Sequence, residues 1–457
     1  MTPSIEVFQD DSRQFLESNF IDHPIKNSET TIKVNKDVQA NQPSTYLVGE
    51  ALLNHIATID HDICEAGEED SFFVADMGEV YRSFLTWKNN LPQVQPYYAV
   101  KCNTDRKVIE LLGNLGVNFD CASKNEIDTV LNLGFDANRI IYANPCKTNS
   151  FIRHSQESKV NLTTVDNCQE LLKLKKFHPN CDILIRIATD DETAQCRLST
   201  KFGCSVNAAL TDLLPMAKEL NLNVKGVAFH VGSGAKDLTS IFKAIRDSKK
   251  IFDIAIHQFE FDMSILDIGG GFEHESFNES SKMVTQSLNQ FFPGDFIKQH
   301  QIKLIAEPGR FMVANAFTLA THVIARRDLS NEIKSTTNIE AMIYINDGVY
   351  GNLNCILFDH YNPIPYVLTH RNKSYFGFEN DANGKGNHRF SIWGPTCDGL
   401  DCVSNGSNLM ANVEVGDWLY FPKLGAYTST AATSFNGFKA VAHTIYVSSE
   451  DLSDYGF

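Results

Sequence analysis

Tyr97-Tyr-Ala-Val-Lys-Cys-Asn103 is a short apolar run that stops at a lysine. Its aromatic and β-branched content reads as a buried strand, and Lys101 marks the point where that strand opens into a loop. The same unit recurs at Asn118–Cys121, Ile140–Ala143, Leu162–Val165, Ile183–Ile187, Val227–His230, Ile265–Ile268 and Lys303–Ala306. With Tyr97–Val100 these make eight candidate strands, each separated from the next by a segment able to carry a helix. The interval from Ile187 to Val227 holds both an irregular loop and a helix near Leu210–Leu220. Eight strand–helix units within roughly 240 residues fit a (β/α)8 barrel of the TIM type. An open doubly wound sheet shares the rhythm but usually has fewer strands.

Outside this region the pattern changes. Residues 1–45 are polar, rich in Ser, Thr, Asn and Asp, and read as a mobile extension with a short helix around Phe8–Phe15. Globular sequence begins near Tyr46, with a strand at Ser71–Asp76 and helical spacing over Val80–Asn89. After Pro308-Gly309-Arg310, strand signals appear at Ala341–Asn346, Cys355–Phe358, Phe390–Trp393, Trp418–Phe421 and Ala440–Val447, with little helix between them. The division expected is therefore an extension (1–45), a segment joining the β domain (46–76), the barrel (77–316) and a mostly β C-terminal domain (317–457). Asn380–His388 reads as a flexible loop.

Composition narrows the classes of function. A 43% hydrophobic and 21% charged chain of 457 residues is that of a soluble globular protein with room for two domains. No apolar run approaches the roughly 20 residues that span a bilayer, and Glu6, Asp10 and Asp11 do not belong to a secretory signal. Eleven cysteines without paired spacing suit reduced thiols and a cytoplasmic location, and none has zinc spacing, so no metal is expected. A net charge of -16 argues against a nucleic-acid partner and mildly favours cationic ligands.

In a (β/α)8 barrel the chemistry gathers at the C-terminal ends of the strands. Here those ends carry Lys101, Asp120, Arg186, His230, Gly269-Gly270-Gly271 and Glu307-Pro-Gly309-Arg310. Lys101 is either an ordinary solvated lysine or a desolvated amine whose pKa has fallen enough for Schiff-base chemistry. His230 is either a satisfied core histidine or, with glycines following it, a ring that a ligand approaches closely. The triple glycine lacks the spacing of a dinucleotide site but offers bare backbone to one phosphate, to which Ser233 and Arg310 add a hydroxyl and a guanidinium. Glu307 is unfavourable beside a phosphate unless it pairs with a cationic part of the same ligand, and a protonated pyridine nitrogen is such a part. Together these groups specify pyridoxal 5'-phosphate.

A second candidate stretch is Trp393-Gly-Pro-Thr-Cys-Asp-Gly-Leu-Asp401, which puts Cys397 beside Asp398 in a Gly/Pro-stiffened loop. Alone it reads equally as a turn whose thiol fills a small gap. The barrel motifs and this loop together resemble the eukaryotic ornithine decarboxylases. The resemblance is carried by Tyr97–Asn103, Phe119-Asp-Cys-Ala-Ser-Lys124, Ile140–Lys147, Cys196-Arg-Leu-Ser199, His230–Gly234, Leu266–Phe272, Ala306–Arg310 and Trp393–Asp401, and runs from about Phe72 to about Gly437.

The resemblance implies a catalyst that converts L-ornithine to putrescine and CO2. Lys101 would hold the cofactor as an aldimine, His230 would stack on its ring and Glu307 would pair with the ring nitrogen. Ser233, Gly270, Gly271, Gly309, Arg310 and Tyr427 would surround the phosphate, with Asp120, Glu126 and Arg186 in support. Phe358 and Asp359 would meet the distal amine of the substrate. Cys397, as proton donor, and Asp398 would reach in from the partner subunit of a homodimer. Two departures from animal members are the longer segment before Tyr46 and a chain that ends at Phe457 without a Pro/Glu/Ser/Thr-rich tail. Asn149–Leu172 corresponds to the antizyme-binding segment of animal enzymes but differs in sequence, so an antizyme-like regulator is only a possible partner. The alternatives are a non-catalytic antizyme inhibitor, which usually shows damage at cofactor positions that are intact here, and a decarboxylase of mixed lysine and ornithine specificity.

Overall fold

The computed structural model describes residues 43–189, 199–232, 237–377, 388–439 and 442–457. The extension, its short helix and most of the 380–388 loop lie outside them, as does Ser233. A helix, Pro43–Ile56, precedes β1 (Phe72–Asp76) and the helix Met77–Asn90. That second helix starts where Asp76 accepts from the Gly78 amide, a side-chain cap that satisfies one of its free N–H groups.

Eight parallel strands then close into a barrel: β2 (Val94–Ala99), β3 (Asn118–Cys121), β4 (Ile140–Tyr142), β5 (Leu162–Val165), β6 (Asp182–Ile187), β7 (Asn223–Phe229), β8 (Ile265–Asp267) and β9 (Lys303–Ala306). Closure is made by β2 pairing with β9, Val94 opposite Leu304 and Pro96 opposite Ala306. Tyr97, Ile141, Leu184, Ala228 and Ile305 fill the interior, so the barrel is a packed core with its chemistry confined to one rim. Strands buried on both faces read as continuous apolar runs, which is why all eight were visible in the sequence.

The second sheet has nine strands centred on β10 (Phe317–Asp328). Its first half lies between β1, with Phe72 opposite Ala320, and β16 (Trp418–Phe421), with Leu319 opposite Phe421. A register shift between Val323 and Ala325 turns its second half onto β11 (Ala341–Ile345). The sheet continues through β12 (Tyr366–His370) and β13 (Lys373–Ser374) on one side, and through β14 (His388–Trp393) and β15 (Cys402–Leu409) on the other. β17 (His443–Val447) pairs in parallel with β1. Leu52 and Leu53 of the first helix pack with Phe72, Val74, Ala320 and Trp418 to cover one face.

One expected strand is wrong. Cys355–Phe358 is a helical turn, with the Phe358 amide donating to the Asn354 carbonyl at 3.0 Å. A four-residue apolar run carries no period that separates strand from helix. Here only Cys355 is buried, whereas Leu357 and Phe358 face out. Among the described residues no helix is long and apolar enough to cross a membrane.

Candidate active site

At the rim of the barrel a cavity of about 400 Å³ is lined by Lys101, Arg186, His230, Glu307, Phe358, Asp359 and Tyr427, with Ala122, Ala143, Asn144, Pro145, Phe202 and Ala431 completing its walls. A narrower recess beside it brings Gly271, Gly309 and Arg310 to the same Lys101, His230, Glu307 and Tyr427. Residues from seven barrel strands or the loops after them, and from the β sheet beyond, thus converge on one space.

Lys101 sits in a tight turn, Val100–Cys102, one step past the end of β2. Its side chain is 40% exposed, but to the cavity. Its ammonium donates to Asp120 Oδ2 at 2.5 Å. The expected fall in its pKa does not occur. Burial pulls it down, but the charges of Asp120 and Glu307 outweigh burial and hold the amine above its ordinary value. In this state Lys101 is an ammonium that must give up a proton before it can act as a nucleophile.

The acids around it are the more unusual feature. Asp120, Asp267 and Glu307 are all buried. Burial, with the charges of Asp120 and Asp267, pushes Glu307 well above the usual carboxylate range. Burial likewise raises Asp267 to about 7, although the Gly269 amide donates to its Oδ1 at 2.9 Å. Asp120 Oδ1 and Asp267 Oδ2 have no hydrogen-bond partner. Buried carboxylate oxygens left idle in this way require a cation or donor from outside the chain. A ligand carrying a protonated ring nitrogen meets that requirement, so the residues present fit pyridoxal phosphate.

His230 follows β7 and is neutral. Burial, together with the nearby charges of Arg186 and Lys101, drives its pKa well down. The Gly232 amide donates to Nδ1 at 2.9 Å, which leaves the proton on Nε2. The glycines after β8 are required by space as well as by conformation. A Cβ at Gly270 would lie 2.8 Å from His230 Nε2, and one at Gly271, where φ is +96°, would lie 2.4 Å from the Gly232 carbonyl oxygen. Bare backbone therefore lines the recess that Arg310 enters.

Arg310 is already occupied. Its Nη2 donates to Asp359 Oδ2 at 2.5 Å, its Nε lies 3.7 Å from Glu273, and its guanidinium stands 5.2 Å over the Tyr427 ring. Tyr427 adopts φ +53° and is tied back to the barrel by its amide, which donates to the Cys102 carbonyl at 2.9 Å. Glu126 accepts from the Ala122 amide at 2.7 Å, behind Asp120.

The Cys397 loop lines neither the cavity nor its recess. Asp401 builds it, accepting from Val349 N at 2.9 Å, Thr396 N at 3.0 Å and Thr396 Oγ1 at 2.7 Å. Cys397 is exposed at the tip, and Asp398 accepts from the Tyr350 hydroxyl, which with the Leu400 amide holds its carboxyl below the ordinary range. A second cavity of about 380 Å³ lies against the inner side of this loop. Its buried Asp347 is satisfied internally by Ser71, Gly348 and Asn352, so it offers no comparable chemistry.

Sequence reasoning missed Asp267, Asn144 and Phe202. Asp267 stood inside a quoted motif, and an acid one residue before a glycine run at a strand end was the available signal. Asn144 and Phe202 contribute walls and carry no chemical mark in the sequence.

Comparison with known proteins adds three findings. Residues 77–314 match the pyridoxal binding domain of pyridoxal-dependent decarboxylases. An ornithine decarboxylase of Candida albicans is 57% identical over 437 residues, 92% of this chain and 91% of that protein, and the ornithine decarboxylase of Saccharomyces cerevisiae is 50% identical over 432 residues, 92% and 90% respectively. The arginine decarboxylase of Paramecium bursaria Chlorella virus superposes with a TM-score of 0.76 at 33% identity, covering 87% of this chain and all of that one.

Proposed function

This chain belongs to the pyridoxal-dependent decarboxylase family, and we infer that it converts L-ornithine to putrescine and CO2, the first step of polyamine synthesis. The observation that carries this reading is the cavity itself: one lysine held by two buried carboxyls, Asp120 and Glu307, with a further acid, Asp359, on its wall. When bound, pyridoxal phosphate supplies a sink for the electron pair left on the substrate Cα as CO2 departs. Lys101 would anchor the cofactor through its amine, after giving its proton to Asp120, the acid to which it donates a hydrogen bond. Glu307 would pair with the ring nitrogen and keep a proton there, with Asp267 beside it. His230, neutral and planar, would support the ring by stacking. Gly270, Gly271, Gly309, Arg310 and Tyr427 would hold the phosphate, and Arg186 closes the cavity wall beside His230.

Substrate choice falls to the acids. Asp359 and Asp398 take the distal ammonium, and a carboxylate on the substrate would be repelled. Lysine is longer than ornithine by one methylene, which a pocket distinguishes by only about 1–3 kcal/mol, so lysine is a slow substrate. Cys397 returns a proton to Cα. Because its loop lines no part of the cavity in its own chain, Cys397 and Asp398 serve the site of a second subunit, and the active species is a homodimer. An antizyme-inhibitor role is disfavoured because Lys101, His230, Glu307 and Arg310 stand together in working geometry.

Purified protein reconstituted with the cofactor should show an absorption band in the visible and release CO2 from ornithine. A colourless protein that retains no cofactor would sink this reading.

A further inference from the structure

Away from the Lys101 cavity, the described residues hold one cluster of side chains able to ligate a metal: His61, Glu69 and His322. His61 and Glu69 lie on the loop between the helix Pro43–Ile56 and β1, and His322 is on β10. His61 Nδ1 is 2.9 Å and His322 Nδ1 is 3.5 Å from the same oxygen, Glu69 Oε2, and the ligand atoms all fall within 4.8 Å of one another. Ligands about 2.0–2.1 Å from a tetrahedral zinc are about 3.3 Å apart. The two measured separations bracket that value.

His322 is the independent observation. It is only 6% exposed, yet neither of its ring nitrogens has a hydrogen-bond partner. Other buried or half-buried histidines differ: His178 Nε2 meets the Val160 carbonyl at 3.2 Å, and His370 Nδ1 meets Asp417 at 2.7 Å. A buried imidazole idle on both nitrogens is costly, and its ring is clamped between His61 at 4.4 Å and Trp418 at 5.0 Å. The scaffold beneath it is prebuilt. Asn346 accepts from the His322 amide at 2.8 Å and donates to the Glu69 carbonyl at 2.7 Å, so one side chain fixes the backbones of two ligands.

We propose that His61, Glu69 and His322 bind a divalent transition metal, zinc by ligand chemistry, which fastens the loop before β1 to β10. Two imidazole nitrogens and a carboxylate oxygen suit zinc, and the fourth position opens to solvent beside the exposed His61. Binding requires the two rings to open from their 16° stack so that both lone pairs converge. His61, on its exposed turn, supplies that movement while His322 stays fixed.

The test uses the cofactor-loaded enzyme, stripped with a chelator and re-equilibrated with zinc at micromolar free concentration. Metal per chain is read by mass spectrometry, and the melting temperature is recorded with and without zinc. One zinc per chain and a raised melting temperature are expected. Both should be lost, with affinity at least tenfold weaker, in Glu69→Gln and in His61→Ala, which alter exposed or half-exposed positions and leave the core intact. Decarboxylation should be unaffected, since neither residue lines the cavity. Equal zinc uptake by parent and variants would assign the metal to surface thiols such as Cys146 and Cys397 and overturn the proposal, as would no uptake at all.

Discussion

Asp359→Asn separates substrate recognition from cofactor binding, because the native carboxylate lines the cavity and also grips Arg310. Asp359 Oδ2 lies 2.5 Å from Arg310 Nη2, and the two side chains are only 10% and 19% exposed. If Asp359 also receives the distal ammonium, its loss truncates a buried, hydrogen-bonded charge pair, a change that costs about 2–5 kcal/mol. The asparagine still offers an amide oxygen in nearly the same place, so the lower part of that range applies. About 2–3 kcal/mol corresponds to a fall of about 30- to 150-fold in kcat/KM for ornithine. Norvaline, which lacks the amine, should lose far less, and the preference for ornithine over it should fall by nearly the same factor. Cofactor affinity should move the other way. Asp359 and Glu273 both compete for Arg310 in the unloaded site, so removing one negative charge leaves the guanidinium freer for a phosphate. Steady-state kinetics on both substrates, with cofactor titration followed by absorbance, reads all three quantities. An unchanged KM for ornithine with weakened cofactor binding would refute the reasoning and reduce Asp359 to a group that orients Arg310.

Cys397→Ala should divert product from putrescine toward the transaminated aldehyde, measured by chromatography of the products; unaltered putrescine output would remove the thiol as proton donor. Mixing Lys101→Ala and Cys397→Ala chains, each deficient in putrescine formation, should restore putrescine output at about a quarter of the sites by random assortment into dimers with shared sites, and no recovery on confirmed subunit exchange would mean that each site is built within one chain. Lys147 is fully buried, donating to the carbonyls of Asn144 and Thr164 at 2.9 and 2.8 Å. Lys147→Met should therefore cost about 2–5 kcal/mol of stability by orphaning both acceptors, and a denaturation midpoint equal to that of the parent would contradict it. Asp267, raised by burial from 3.8 to about 7, gives the cofactor-free chain a proton that the unfolded chain releases at lower pH. Its stabilising contribution is full below the unfolded value and lost as pH rises to about 7. The stability of the parent relative to Asp267→Asn should decline across that window, and a flat difference would mean that the proton resides elsewhere.

The barrel was legible because burial on both faces writes each strand as an apolar run and because its chemistry falls where those runs stop. β10 and β15 were not named for the opposite reason. β10 is buried over Phe317–Val323 and then emerges into Ile324-Ala-Arg-Arg-Asp328, so it shows no single pattern. β15, Cys402-Val-Ser-Asn-Gly-Ser-Asn-Leu409, is polar or glycine throughout its middle, Ser404–Asn408, and is held by its pairing with β14. Tertiary partnership overrides weak local preference there. The electrostatics of the site were readable in kind but not in sign. Lys101 at a strand end suggested desolvation, whereas its pKa is set by Asp120 and Glu307, which arrive from two other strands. The grip of Asp359 on Arg310 joins two sheets, and no spacing within the sequence expresses it.

That grip and the buried acids share one consequence for the proton donor. The cavity holds more carboxyls than its own cations satisfy, and thiols beside it show the effect. Burial, with the charge of Asp359, pushes Cys102 and Cys355 up to about 12, even though Arg310 opposes the shift at both. A thiol permanently housed among these acids would be inert as a nucleophile but would hold its proton firmly. Cys397, at the tip of an exposed loop, is outside that field in its own chain. Delivered into the cavity of a partner, as proposed above, its thiol would stand among the acids that flank the substrate rather than beside Lys101 of its own chain. If donor and cavity meet only across a subunit boundary, as proposed above, the thiol is kept away from Lys101 of its own chain and reaches a site only once two chains have assembled.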